Sequence, residues 1–176
     1  MLKLIKVVLS IVGVLAVVLL GGGLMLSPKF TVTRSTDIAA PPDKVYALVA
    51  SPREWGRWAV WHQRDPAMKI EYGGAASGTG AGWSWQSATE GDGKMTFTAA
   101  EPPRRLAYDL YFPDFGTTSQ GEFRIDPTPG GSRVTWVMHG DMGGNPLFRW
   151  FALNADGMVG KDFEAGLAKL KSTAEK

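Results

Sequence analysis

Two histidines, His62 and His139, are the only side chains in this sequence whose ordinary pKa lies near neutrality. Neither stands in HExxH or any other metal-ligand spacing, and the chain has no cysteine. Thiolate chemistry, disulfides and Cys-based metal sites are therefore excluded, and no metal or cofactor is expected. A G-x-S-x-G elbow and a P-loop are also absent. The glycine-rich stretch Ala75–Gly82 lacks GxGxxG order. His139 and Asp141 lie two residues apart in a strand-like stretch, so they share a face and could form an acid–base pair. No nucleophile accompanies them. Gln120, Glu122 and Arg124 likewise share a face, which reads as solvated sheet surface. The residue types thus point to no catalytic set, and attention moves to what the apolar residues build.

The formal net charge is +2, and leaving out Lys3, Lys6 and Lys29 brings the remainder to −1. A near-neutral domain without a basic run is not expected to bind nucleic acid. Val7–Leu26 has no charged residue and a single polar side chain, Ser10. At 1.5 Å per residue, its length matches a hydrocarbon core of about 30 Å. We read residues 1–29 as a transmembrane anchor spanning the membrane through residues 7–26, and residues 30–176 as the domain it carries. The competing reading, a cleaved secretory signal, fits less well: the apolar run is long and no A-x-A site precedes Ser27. Lys3 and Lys6 favour a cytoplasmic N-terminal flank, which places the domain on the extracytoplasmic side of an inner (cytoplasmic) membrane. Lys29 and Arg34 oppose that orientation.

After the anchor, Phe30–Ile38 is rich in β-branched residues and reads as a strand. Pro41-Pro42-Asp43 opens a helix, with proline in the first turn and an acid at the positive end. Ser51-Pro52-Arg53-Glu54 has the form of a capping box that restarts helix. Trp55, Trp58 and Trp61 follow. They plug one end of the domain, line the mouth of a pocket, or face the bilayer.

Six further strand candidates come at regular intervals, joined by turn signals such as Gly91-Asp92-Gly93 and Pro129-Gly130-Gly131. Trp83 and Trp85 share one face, as do Met95 and Phe97. Leu106, Tyr108, Leu110 and Phe112 alternate together, then Phe123 with Ile125, then Val134 with Trp136 and Met138. No long helix interrupts these strands, so the sheet is expected to be antiparallel. Pro146–Leu153 reads as a short helix, with Asp156-Gly157 breaking it from a longer one at Met158–Lys171. In that last helix Val159, Phe163, Leu167 and Leu170 form one stripe. A stripe of this kind needs a surface to bury it. The expected fold is α+β: a curved antiparallel sheet of about seven strands wrapped around a long C-terminal helix, with two short helices after the first strand.

Four stretches, IAAPPDKVYALVASPREWGRW, EPPRRLAYDLYF, GSRVTWVMHGD and KDFEAGLAKLK, together resemble the START-like (helix-grip, birch-pollen-allergen-like) superfamily. Within it they resemble the SRPBCC branch of polyketide cyclase/dehydrase and lipid transport proteins. The resemblance runs from about Phe30 to Lys171. It implies a cavity between sheet and C-terminal helix that binds lipids, sterols, polyketides or other apolar molecules. On alternation, the expected ligand-binding residues are Trp83, Trp85, Phe97, Tyr108, Leu110, Phe123, Trp136, Met138, Phe163 and Leu167. The leading functional reading is a membrane-anchored binding module for a hydrophobic small molecule or lipid. A cyclase- or dehydratase-type enzyme is the alternative, and it requires an ionisable group inside the pocket, where Tyr108 is the one titratable side chain placed by alternation. A partner-binding domain without a cavity is the third.

Overall fold

A computed structural model describes residues 1–176, the side chain of Leu2 excepted. Helix α1 (Leu2–Met25) is followed by strand β1 (Lys29–Ile38), helix α2 (Pro42–Ala50), a 3-10 turn over Pro52–Arg57 and the short helix α3 (Val60–Arg64). Then come β2 (Lys69–Gly74), β3 (Ala81–Gln86), β4 (Gly93–Glu101), β5 (Arg105–Phe112), β6 (Thr117–Thr128) and β7 (Gly131–Asp141). Helix α4 (Pro146–Ala174) ends the fold. The strands form one sheet in the order β1-β7-β6-β5-β4-β3-β2, with every neighbouring pair antiparallel. This is the helix-grip architecture.

Helix α1 is long and apolar enough to cross a membrane, and its apolar side chains are exposed rather than buried in the domain.

Strand alternation places the core. Phe30, Val32 and Ile38 of β1, Met95 and Phe97 of β4, Leu106 and Tyr108 of β5, Phe123 and Ile125 of β6, and Val134, Trp136 and Met138 of β7 are buried. Phe163, Leu167 and Leu170 of α4 meet them from above. The central contact is a parallel stack of Phe163 on Trp136, with ring centroids 3.8 Å apart.

Two sequence expectations give way here. Ser51 makes no side-chain capping bond, and the segment after it is a 3-10 turn. Its anchors are instead two indole N–H groups. Trp55 Nε1 donates to Val49 O at 2.8 Å and Trp58 Nε1 to Leu48 O at 3.1 Å. They satisfy carbonyls that the end of α2 leaves free. The second correction concerns Asp156-Gly157, where no break occurs: α4 is continuous for 29 residues. Arg34, on the inner face of edge strand β1, explains this. Its guanidinium bonds Asp156 at 2.7 Å and Glu164 at 2.5 Å. Between them, at a spacing of four, lies Gly160, where a Cβ would collide with that guanidinium. The two carboxylates hold the guanidinium well above its ordinary pKa range, and the hydrogen bond from Arg34 in turn lowers the pKa of Asp156. A glycine that would otherwise weaken the helix is thus the seat of the clasp that joins helix to sheet.

Trp55 is fully buried and its ring lies within 4.6–6.1 Å of those of Trp58, Trp83, Phe97, Tyr108, Phe123 and Trp136. Replacing it with alanine is expected to destabilise the domain by about 3–5 kcal/mol. Thermal unfolding of the detergent-solubilised full chain would measure this. A loss below about 1 kcal/mol would contradict the central role given to this ring.

Candidate functional site

Sheet and helix do not close on each other completely. A cavity of about 520 Å³ remains beneath α4, within the roughly 300–1,000 Å³ range of small-molecule sites. Its wall is largely aromatic and sulfur-bearing. Trp83, Trp85, Met95, Tyr108, Leu110, Phe112 and Met138 come from the sheet, Phe151, Met158, Val159 and Phe163 from α4, and Trp55 and Trp61 from the segment between β1 and β2. These are large, adaptable side chains of the kind that surround apolar ligands.

The cavity is asymmetric because of where the tryptophans sit. Trp55 and Trp58 fill one end of the sheet's concavity solidly. Six of the expected residues, Trp83, Trp85, Tyr108, Leu110, Met138 and Phe163, stand on the cavity wall. Of the other four, Phe97, Phe123 and Trp136 lie on the sheet's inner face packed against Trp55, and Leu167 is buried on α4; none of them is on the cavity wall. Trp61 takes a place on the wall, its ring 5.9 Å from that of Trp136.

The remaining polar wall comes from residues that sequence reasoning did not assign to the site. His62, Arg64, Glu90, Lys161 and Asp162 gather at one side. Asp162 accepts from Trp61 Nε1 at 3.1 Å and from both terminal nitrogens of Arg64 at 2.9 Å. Arg64 also pairs with Glu90 at 3.1 Å. This network ties α3 to α4 and to the β3–β4 turn, and its one guanidinium is shared between two carboxylates. His62 differs: both ring nitrogens are buried and neither finds a hydrogen-bond partner among the described residues. Burial pushes its imidazole below the usual range, so it is neutral at pH 7. A neutral imidazole offers one donor and one acceptor. Among the described residues, no other side-chain polar atom on the wall is both buried and without a partner. The short helix α3 carries no periodicity that could have announced this placement.

Tyr108 is fully enclosed and its hydroxyl accepts from Trp136 Nε1 at 2.7 Å. Burial raises its pKa well beyond the ordinary value, so it remains a neutral phenol. The pair of His139 and Asp141 stands elsewhere. His139 Nδ1 is 2.9 Å from the Thr31 hydroxyl, and Asp141 accepts from the Gly143 amide. Both are exposed on the far face of the sheet, and they do not bond each other. Glu122 is clasped by Arg105 and Arg124 on that same outer face. No group of three His, Asp or Glu side chains among the described residues is arranged to hold a metal ion.

A buried neutral histidine has a sign-definite effect on stability. Its folded pKa is lower than its unfolded value of about 6.5, so the unfolded chain binds more protons in the window below 6.5. Stability from this group is complete above about pH 6.5 and falls as pH drops through that window. Replacing His62 with leucine is expected to flatten the Tm-versus-pH curve just below about pH 6.5. An unchanged slope would show that the imidazole is not held neutral.

The family model for polyketide cyclase / dehydrase and lipid transport matches residues 29–175. Uncharacterized proteins of Mycobacterium tuberculosis and Mycobacterium bovis are 31% identical over 108 residues, which is 59% of this chain and 61% of each relative. The chain therefore spans less than two thirds of their length. Among solved structures, protein CV1439 from Chromobacterium violaceum aligns with TM-score 0.62 and 15% identity, over 84% of this chain and 99% of that one. The di-domain ARO/CYC BexL from the BE-7585A biosynthetic pathway gives 0.60 and 18%, over 84% and 50%. Norcoclaurine synthase from Thalictrum gives 0.61 and 13%, over 83% and 94%. At these identities the structures share the fold.

Proposed function

This chain belongs to the polyketide cyclase/dehydrase and lipid transport family, and from that membership we propose that it is a membrane-anchored module binding an apolar or amphiphilic small molecule. The observation that carries the reading is the cavity: about 520 Å³ left open between sheet and α4, walled mostly by aromatic, aliphatic and methionine side chains. Helix α1 anchors the domain by spanning a bilayer with its 24 residues, a rise of about 36 Å. Lys3 and Lys6 favour a cytoplasmic flank, with the domain on the extracytoplasmic side of the inner (cytoplasmic) membrane.

The wall also sets a chemistry for the ligand. An extended apolar body would lie against Trp83, Met95, Leu110 and Met138. One uncharged polar group, a hydroxyl or carbonyl, would meet the unpartnered imidazole of His62. A formal charge on the ligand gains little here: Arg64 is already paired with both Glu90 and Asp162, and with Lys161 the four formal charges on this side of the wall sum to zero.

A second reading, cyclase- or dehydratase-type chemistry on a hydrophobic substrate, draws on the same His62. A neutral imidazole at a cavity wall can accept and return a proton. It would require turnover lost on His62→Leu, where a pure binding module would lose affinity only.

Leu110 lines the cavity and is only half buried, so a larger side chain there would enter the empty space rather than the packed core. Leu110→Trp is expected to retain the far-UV spectrum and weaken uptake of a fluorescent fatty-acid probe about tenfold or more, a difference of at least about 1.4 kcal/mol. Unchanged uptake by a folded variant, together with no lipid seen by native mass spectrometry of the wild-type chain, would remove the binding reading.

A further inference from the structure

The first turns of α4 do not belong wholly to the domain. Trp150 Nε1 donates to Leu19 O at 2.9 Å, a carbonyl inside α1. Its ring lies over Gly22, and the Pro146 backbone lies against Gly23, so closely that a Cβ at Gly23 would clash. Arg149 donates to Leu24 O at 3.0 Å and Leu26 O at 3.3 Å. It thus supplies the cation that the last turn of α1 lacks. Gly22 and Gly23 are therefore a docking surface for α4, where small residues let the two backbones approach. Leu19 stands six residues before the end of α1, about 9 Å along its axis.

That contact fixes a level. Pro146–Ala155 contains one charged residue, Arg149, and its head group is already bonded to α1. Leu147 and Leu153 are 49% and 59% exposed. This is a length of helix with apolar side chains directed away from the domain, beside the final turns of an apolar span. The neighbouring flank of the same helix carries Phe151, Met158 and Val159, which line the cavity. Opposite stands Phe115 at the tip of the β5–β6 hairpin, with ring centroids 5.3 Å from Phe148 and 5.7 Å from Phe151. The rings of Phe115 and Phe151 thus close the cavity at the end of the molecule that is bonded to α1, beside the apolar outer face of α4.

We infer that the first three turns of α4 are immersed in the leaflet from which α1 emerges, so that parting of Phe115 from Phe151 opens the cavity into lipid, and its occupant is a bilayer lipid admitted by its acyl chain. This rests on the reading of α1 as a bilayer-spanning anchor and deepens the binding reading of the cavity. An amphipathic helix lying at the acyl boundary is a familiar interfacial arrangement. Here α1 sets its depth. A chain passing directly from leaflet to cavity never exposes its apolar surface to water, which removes the transfer cost that a route through solvent would carry.

The absence of cysteine makes the test direct. The full chain is reconstituted in nanodiscs of phosphatidylcholine and phosphatidylglycerol, with a nitroxide placed at Ser10→Cys, Leu147→Cys, Leu153→Cys or Thr128→Cys in turn. Accessibility to oxygen and to a water-soluble nickel chelate is compared at each site. The expected result is a several-fold preference for oxygen at residues 10, 147 and 153, and for nickel at residue 128, at the far end of β6. Nickel preference at both 147 and 153 with oxygen preference at 10 would overturn the immersion of α4 while leaving the anchor intact. Nickel preference at residue 10 would overturn both. In the same discs, phosphatidylcholine carrying a photoreactive group in its acyl chain is expected to crosslink to the unsubstituted chain at Phe115, Phe151 or Met158. Crosslinks confined to α1 would remove the lipid portal.

Discussion

One helix cannot fill the hollow of this sheet. Seven strands spaced about 4.8 Å apart make a surface about 29 Å wide, whereas a helix with its side chains is about 10–12 Å across. The rest must be filled by something else or left empty, and both happen. On one side the 3-10 turn between β1 and β2 inserts Trp55 and Trp58, which are completely buried. On the other, nothing of comparable bulk descends, and the cavity is what remains. The size and place of the candidate site thus follow from the reach of two indole rings. Where their N–H groups bond back to α2, the plug is fixed in position and the boundary between solid core and open space is fixed with it.

Glycine and aromatic residues share the work of closing the solid half. Gly121 on β6 stands opposite Tyr108, whose ring occupies the volume a side chain there would need. Tyr108 in turn accepts the proton of Trp136 Nε1, and Trp136 stacks on both Phe123 and Phe163. Polar atoms inside this cluster are therefore bonded, which is what their burial demands. His62 is the exception on the cavity wall, and its unmet nitrogens mark where the interior is chemically unfinished.

Much of this was legible in the sequence, and the reasons are specific. A period of two reports which face a residue occupies, so the inner sides of β3 to β7 could be read directly, as could the buried stripe of α4. The same period says nothing about distance along the strand. Phe97 and Met95 are indistinguishable by alternation, yet only Met95 meets the cavity, because Trp55 happens to lie over Phe97. His62 and Phe115 were invisible for another reason: they sit on a five-residue helix and a hairpin tip, where no repeat exists to be read. Asp156-Gly157 looked like a boundary because glycine weakens helices locally. A residue 122 positions away, Arg34, decides otherwise.

That guanidinium has a mechanical meaning. It grips the helix on both sides of the turn that contains Gly157 and Gly160, much as a splint crosses a weak point. The rod beneath it is thereby denied the joint at which it would most easily fold. A bulky guest must then make room on the opposite bank, where the hairpin tip at Phe112–Phe115 and the small helix bearing His62 meet α4 through side chains alone. Those two pieces are held to α4 by rings and ion pairs, and the long helix is the braced side of the pocket.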